Sequence, residues 1–353
     1  MPLVASRISL SESLRWGILG AGAIAGEFSD GIAASSTGVV HAVASRSLAK
    51  AGQFAATHRV SSWYGCYEDL LADPGVDIVY VATPHPMHAE WAINAARAGK
   101  HVLCEKPLTV SLGEAENVMA VARESGVFLM EAFMYRTHPQ TAMLMDILKS
   151  GVIGEIRALS VSFGYRPATS WEAGRVTDAE LGGGGILDVG CYAVSVARLV
   201  AAAALGEQAA EPDQVVGCAR IGPQDHVDHI AMGVLSFPGG LLAQIGSSVT
   251  TRLDDAIRVF GSNGRIVVPR PSWLEEHRVA GTSVIEVESD GATRVVEVVA
   301  EQGIFSYEAD HVARSIGAGQ SPLVPWADTL ANMRTLDRWR RAVGLRYDFE
   351  RTA

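Results

Sequence analysis

The chain has 353 residues, is 48% hydrophobic and 19% charged, and carries a net charge of −10. A chain of that length suits two domains and buries a sizeable core without disulfide or metal staples. The acidic balance, with no Lys/Arg-rich run, excludes a nucleic-acid backbone as main partner, and the scattered Cys66, Cys104, Cys191 and Cys218, with no CxxC pair, exclude a zinc site or disulfide framework in favour of small buried thiols in a reducing cytoplasm.

Residues 1–13, MPLVASRISLSES, have neither a cationic start nor a sustained apolar core. They read as a disordered lead, not a secretory signal. Strand and helix patterns then alternate. RWGILG is an apolar run ending in glycine, followed by a small-residue helix and a second strand, VVHAVA. Next come helix SLAKAGQFAATH, the segment YEDLLAD, strand DIVYVAT, helix MHAEWAINAARAG, strand HVLCEK, helix LGEAENVMAVARESG and strand VFLMEA. Strands separated by helices of about a dozen residues indicate βαβ units and a parallel sheet covered on both faces. Residues 14–135 are therefore expected to form a Rossmann domain.

The rhythm changes after Ser150. GEIRALSVSFGY alternates with period two, and after a helix come QVVGCARIG, DHIAMGVLSF, GLLAQIGSSV, DAIRVFGS and GRIVVP. Turns at Pro238-Gly239-Gly240 and Ser262-Asn263-Gly264 join close-spaced strands, which indicates a mostly antiparallel sheet. The most apolar stretch, Tyr192 to Leu205, contains Arg198 and is too short to span a bilayer. A helix over Pro325 to Val343 carries Leu330, Met333, Leu336 and Trp339 at helical spacing. Residues 136–353 are expected to form an α+β substrate and oligomerisation domain, its last helix able to pack back on the first domain. The fold class is α/β throughout the first domain, with a large open sheet in the second.

Gly20 to Ala25, GAGAIA, match the dinucleotide fingerprint in context, after a strand and before a helix. Gly20 permits the tight turn, Gly22 lets backbone approach a pyrophosphate, and the helix start at Ala23 and Ile24 offers amides to phosphate. After the second strand stand Ser45-Arg46-Ser47, with no carboxylate to bind a ribose 2′-hydroxyl. Arg46 beside two hydroxyls suits a 2′-phosphate, so NADP(H) is expected before NAD(H). Ser45 and Ser47 also suit a helix cap, and both readings hold together.

Strand HVLCEK ends at Glu105-Lys106-Pro107, where a parallel sheet binds ligands beyond its strand ends. Lys106 there can hold a substrate oxygen, or be a surface lysine in a turn, and the Lys-Pro bond is open to the cis form. GGGGILDVGCY, Gly182 to Tyr192, opens a helix with Asp188 and Tyr192 four apart on one face. Tyr192 is either a proton donor and acceptor, its pKa of roughly 10 lowered by an ammonium such as that of Lys106, or a packed aromatic.

These segments, with ATPHPMHAE and EAFMYRTHP, resemble the glucose-fructose oxidoreductase / inositol dehydrogenase / MocA (Gfo/Idh/MocA) family along essentially the whole chain. The resemblance implies a Rossmann domain, a second domain on a large open sheet, and a catalytic lysine at Lys106. Many relatives end the glycine motif in histidine. Tyr192 stands there instead, as in the branch of NADP-dependent xylose dehydrogenase, dimeric dihydrodiol dehydrogenase and sugar 3-ketoreductases. The resemblance further implies that Thr83, Pro84, His85 and His88 line the cofactor groove, with Glu105 beside the nicotinamide ribose. His88 also reads as a helix-capping histidine or as one that supports the groove from behind. Trp171 and Arg175, in the loop before the glycines, face the substrate or merely belong to a surface loop.

The expected function is NADP(H)-dependent hydride transfer at a ring carbon of a sugar-like substrate. Tyr192 moves the proton, Lys106 holds the oxygen and tunes Tyr192, and Asp188 orients the pair or a second substrate hydroxyl, with no metal, nucleic acid or membrane involved. A homodimer or homotetramer is expected by analogy. The alternatives are reduction of a dihydrodiol, diketone or ketosugar, and a non-catalytic dinucleotide-binding regulator.

Overall fold

A computed structural model describes residues 13–167, 174–269 and 278–347. The lead at residues 1–12 and Trp171 lie outside the described residues. The chain forms two compact units. The first comprises the chain up to Thr109, Gly113–His138 and Glu301–Trp326; the second comprises Val110–Leu112, Pro139–Ala300 and the chain from Ala327.

In the first unit the strands are β1 Leu14–Leu19, β2 Gly38–Ala44, β3 Ser62–Tyr64, β4 Ile78–Val81, β5 His101–Glu105 and β6 Leu129–Ala132. They lie in the order β3-β2-β1-β4-β5-β6, with every pairing parallel. This is the doubly wound order, whose direction of winding reverses between β1 and β4. All four residues of β4 are buried, as a strand covered on both faces requires. The connecting helices are α1 Ala23–Ala34, α2 Leu48–His58, α3 Tyr67–Ala72, α4 His88–Arg97 and α5 Leu112–Ser125. β3 has no counterpart in the sequence pattern, because three half-exposed residues are too few to show a period.

The second unit holds α6 Pro139–Lys149 and an eight-stranded sheet. Its strands are β7 Ile156–Gly164, β8 Gln214–Ile221, β9 Asp228–Ser236, β10 Leu242–Ser248, β11 Ile257–Gly261, β12 Gly264–Val268, β13 Gly281–Ser289 and β14 Ala292–Ala300. Their order is β14-β13-β12-β11-β7-β10-β9-β8, antiparallel save for the β7–β10 pair. Leu159, Val161, Ala231, Leu235, Ala243 and Ile245 are buried on one face, while Val216, Met232, Val234, Leu242 and Phe260 are exposed on the other. The buried face is covered in part by α7, Cys191–Leu205.

After β14 the chain returns to the first unit as α8, Ile304–Ser315. Ser306 donates to the Gly31 carbonyl at 2.8 Å, and Asp310 accepts from Ser35 at 2.5 Å and Thr37 at 2.7 Å. These bonds to the end of α1 assign residues 301–326 to the first unit, where the sequence placed them in the second domain. The last helix, α9 Trp326–Ala342, belongs to the second unit from Ala327 onward. Its Trp339 is fully buried, and a β-carbon on Gly190, Gly217 or Gly233 would lie 2.9 Å from the indole. Small residues at those three positions admit the ring.

One further expectation is corrected, that for the cysteines. The helical run Ala179–Leu205, which contains the apolar stretch Tyr192–Leu205, is long and apolar enough to cross a membrane by length and composition, but 89% of its most apolar window is buried inside the protein. It is the core helix of this unit. Cys104 and Cys191 are buried, but Cys218 is exposed because β8 turns it to the open face.

Candidate active site

In the first unit the fingerprint lies at the carboxyl end of β1. Gly20 has φ 104°, and a β-carbon on it would fall 2.6 Å from the Ala82 carbonyl oxygen at the end of β4. Gly22 is the N-cap of α1 and has no side-chain cap, and a β-carbon there would meet nothing within 4 Å. The cradle is therefore open where a pyrophosphate would lie, and the first amides of α1, at Ala23 and Ile24, have no acceptor within the helix. The residues present fit a dinucleotide.

Beyond β2, Ser47 accepts the Lys50 amide at 3.4 Å and caps α2, so the capping reading is right for that serine. The Ser45 amide is bound to the Tyr64 carbonyl at 3.1 Å. Arg46 between them is exposed, and it forms no salt bridge among the described residues. No Asp or Glu occurs in the sequence from Ser45 to Lys50.

Beyond β4, Thr83 is buried, and its Oγ1 has no hydrogen-bond partner among the described residues. Pro84 precedes the short 3₁₀ turn that begins at His85. His88 is fully buried, with its Nε2 2.8 Å from the Thr83 carbonyl oxygen and its Nδ1 2.9 Å from the Pro107 carbonyl oxygen. The imidazole thus sits between the end of β4 and the chain after β5, and the neutral ring donates its one N–H to one of the two carbonyls. Burial, helped by the Lys106 charge, pushes its pKa down to about 4 against those two carbonyls. His85 stacks edge-on to it at 5.6 Å.

β5 ends at Glu105, Lys106 follows it, and the Lys106-Pro107 bond is cis. Glu105 is buried, accepts the Tyr80 hydroxyl, and takes the Lys106 amide at 3.1 Å. Burial raises its pKa in spite of the Lys106 charge. The half-buried Lys106 stands at the carboxyl end of a central strand, the ligand-binding edge of such a sheet.

In the second unit the structure brings Asp188 and Arg175 together. Arg175 Nη2 donates to Asp188 Oδ1 at 3.1 Å, and Tyr165, at the end of β7, donates to Oδ2 at 2.5 Å. Tyr192 is buried, its ring edge-on to Phe163 of β7 at 5.9 Å. The α-helical spacing expected between Asp188 and Tyr192 does not hold. Ile186–Gly190 is a π-helical turn, and the α-helical repeat starts at Cys191. Single π turns are frequent at functional sites. Tyr165 was not singled out from the sequence; its only local signal is a polar aromatic following the glycine that ends β7.

The glycine run is threaded through its own unit. The Gly184 amide donates to the Val176 carbonyl at 2.8 Å, and the Gly183 amide to that of Asp178 at 2.9 Å. The Ile186 amide donates to Asp228 Oδ2 at 2.7 Å. Asp228, also missed by the sequence reading, is fully buried, and burial raises its pKa to about 7. Among the described residues no cluster of His, Cys, Asp and Glu could hold a metal ion.

A doubly wound sheet with an open glycine cradle and a lysine at a central strand end defines an NAD(P)-binding oxidoreductase. Residues 14–133 match the model described as "Oxidoreductase family, NAD-binding Rossmann fold", and residues 141–267 match "GFO/IDH/MocA C-terminal domain". The chain belongs to the Gfo/Idh/MocA family of oxidoreductases. It is 33% identical to trans-1,2-dihydrobenzene-1,2-diol dehydrogenase of Mus musculus over 95% of this chain and 98% of that one. It is 36% identical to D-xylose 1-dehydrogenase (NADP(+)) 2 of Haloferax volcanii over 84% of this chain and 87% of the other. The 3-ketoreductase of Actinomadura kijaniata, solved with NADP and TDP-benzene, is 30% identical, with a TM-score of 0.84 over 94% of this chain and 98% of that one. That reductase is also solved as a lysine-to-alanine and a tyrosine-to-phenylalanine variant.

Proposed function

We propose that the protein is an NADP(H)-dependent dehydrogenase or reductase that moves hydride to or from a ring carbon of a sugar or related polyol. The observation that carries the cofactor assignment is the exposed Arg46 between two serines at the end of β2, where an NAD-binding chain presents a carboxylate. The xylose dehydrogenase and 3-ketoreductase relatives, both named with NADP, support it.

The bound nicotinamide supplies or takes up the hydride. Gly20, Gly22 and the amides of Ala23 and Ile24 hold the pyrophosphate, Ser45 and Arg46 the 2′-phosphate, and Thr83, Pro84 and His85 the groove wall that His88 fastens. Lys106 holds the substrate oxygen and stabilises it as charge develops. Tyr192 gives or takes the hydroxyl proton. Asp188, set by Tyr165 and Arg175, accepts a second substrate hydroxyl. The exposed Val216, Met232, Val234, Leu242 and Phe260 on one sheet face support pairing into a homodimer or homotetramer, and the four free cysteines support a cytoplasmic setting.

A thermal-shift comparison of NADP(H) with NAD(H), followed by initial rates on aldoses, ketosugars and trans-dihydrodiols, tests the reading. Turnover of dihydrodiols alone would favour the second reading, to which the mouse relative points. Cofactor binding without turnover on any of them would assign the chain to the non-catalytic regulators.

A further inference from the structure

We propose that Asp228 is a positioning residue: its carboxyl group fixes the turn from which Asp188 and Tyr192 project. The inference rests on the roles given above to those two side chains.

Asp228 is the first residue of β9 and is fully buried. Its Oδ2 takes the Ile186 amide at 2.7 Å, and the Gly185 amide also bonds the carboxyl group. Ile186 is the first residue of the π turn, so the carboxyl group satisfies amides that a helix start leaves without acceptors. The glycines on either side leave room for it. Gly184 has φ 105°, and a β-carbon there would fall 2.2 Å from Asp228 Oδ1. One on Gly185 would fall 3.2 Å from Oδ2. The glycine run thus wraps a carboxyl group of its own chain. Two residues past this anchor stands Asp188, and four further on stands Tyr192.

Arg340 of α9 favours the ionised form of Asp228, the glycine-loop amides do the same, and burial outweighs them to raise the pKa to about 7. On its own strand, His229 is paired with Asp225 at 2.8 Å. Folded and unfolded forms therefore hold this proton differently. With the folded pKa raised above 3.8, the closed loop keeps a proton that an opened, solvated loop releases. The loop's hold is greatest at low pH and is lost as pH rises through about 7.

Two measurements test the proposal. The first is amide exchange of residues 184–192 relative to β9, corrected for chemical exchange rate. Protection should fall about tenfold from pH 6 to pH 8 in the wild-type chain, and the fall should vanish in Asp228→Asn, which keeps an acceptor oxygen but cannot ionise. Exchange that is independent of pH in the wild-type chain overturns the proposal, whether or not any variant folds and whatever the substrate is. The second is kinetic. Asp228→Ala should lower kcat tenfold or more with NADP(H) affinity unchanged, while Asp228→Asn retains kcat at pH 6 within about threefold. Wild-type kcat in Asp228→Ala, or an equal loss in Asp228→Asn, overturns the positioning role.

Discussion

Gly20 and Gly22 lack side chains for different reasons. A β-carbon on Gly20 would strike the Ala82 carbonyl at 2.6 Å in a backbone conformation with φ 104°, whereas one on Gly22 would meet no protein atom within 4 Å. The space at Gly22 is left open by the protein. Gly22→Ala is therefore expected to leave the unfolding midpoint of the free protein near that of the wild type, yet weaken NADP(H) binding tenfold or more. Gly20→Ala should lose both cofactor affinity and about 1–3 kcal/mol of stability. Chemical unfolding without cofactor and a fluorescence titration with it separate the two. Equal affinity in Gly22→Ala would remove the phosphate cradle from the argument.

Lys106→Ala and Tyr192→Phe should each cut turnover at least a hundredfold, the usual contribution of a placed acid, base or charge. Tyr192→Phe removes only a hydroxyl and keeps the ring against Phe163, so it should cost no more than about 1.5 kcal/mol of stability. Steady-state rates of both variants on one turned-over substrate check the assignment. Near-normal kcat in Tyr192→Phe would make it the packed aromatic that its burial also allows.

In the proposed function Arg46 sets the choice of cofactor. It is exposed and held in no salt bridge among the described residues, so removing it should change stability by less than about 0.5 kcal/mol. Its guanidinium offers paired charge-assisted bonds to a 2′-phosphate. Arg46→Ala should raise KM for NADP(H) about tenfold or more and leave that for NAD(H) within twofold. A parallel rise for both cofactors would show that the arginine does not read the 2′-phosphate.

The parallel sheet was legible because its strands are unbroken apolar runs and its glycine turn obeys fixed chemistry. Ile78–Val81 is buried at every residue and reads so in the sequence. The β13–β14 hairpin was not legible: six of the nine residues of β14 are exposed, so no apolar face marks it. Lys106 and Tyr192 could be singled out because each stands in a local motif. The partners of the glycine loop could not. Ile186 meets Asp228 across 42 residues, and Tyr165 meets Asp188 across 23. Pairings of that range depend on which strands become neighbours, and β7 and β9 are both neighbours of β10 only once the sheet has formed. The same holds for α8, whose bonds to the end of α1 join residues 275 positions apart.

α8 also carries an untypical buried group. Glu308 is fully buried, and neither of its carboxyl oxygens has a hydrogen-bond partner among the described residues. Burial, and then the charge of Glu105, raises its pKa well above 4.5. The folded protein thus keeps a proton that the unfolded chain releases above that pH, so this group costs stability increasingly as pH rises. Glu308→Leu replaces the carboxyl group by an apolar side chain of similar length and should stabilise the fold by about 1–3 kcal/mol at pH 8, the usual cost of an unsatisfied buried polar group. At pH 5 the gain should shrink, because little of the ionisation cost remains. Urea unfolding of both proteins at the two pH values checks this. A variant less stable than wild type at both would mean that Glu308 contributes bonds to the interior, and that the carboxyl groups of Glu105 and Glu308 form a supporting network instead of a liability.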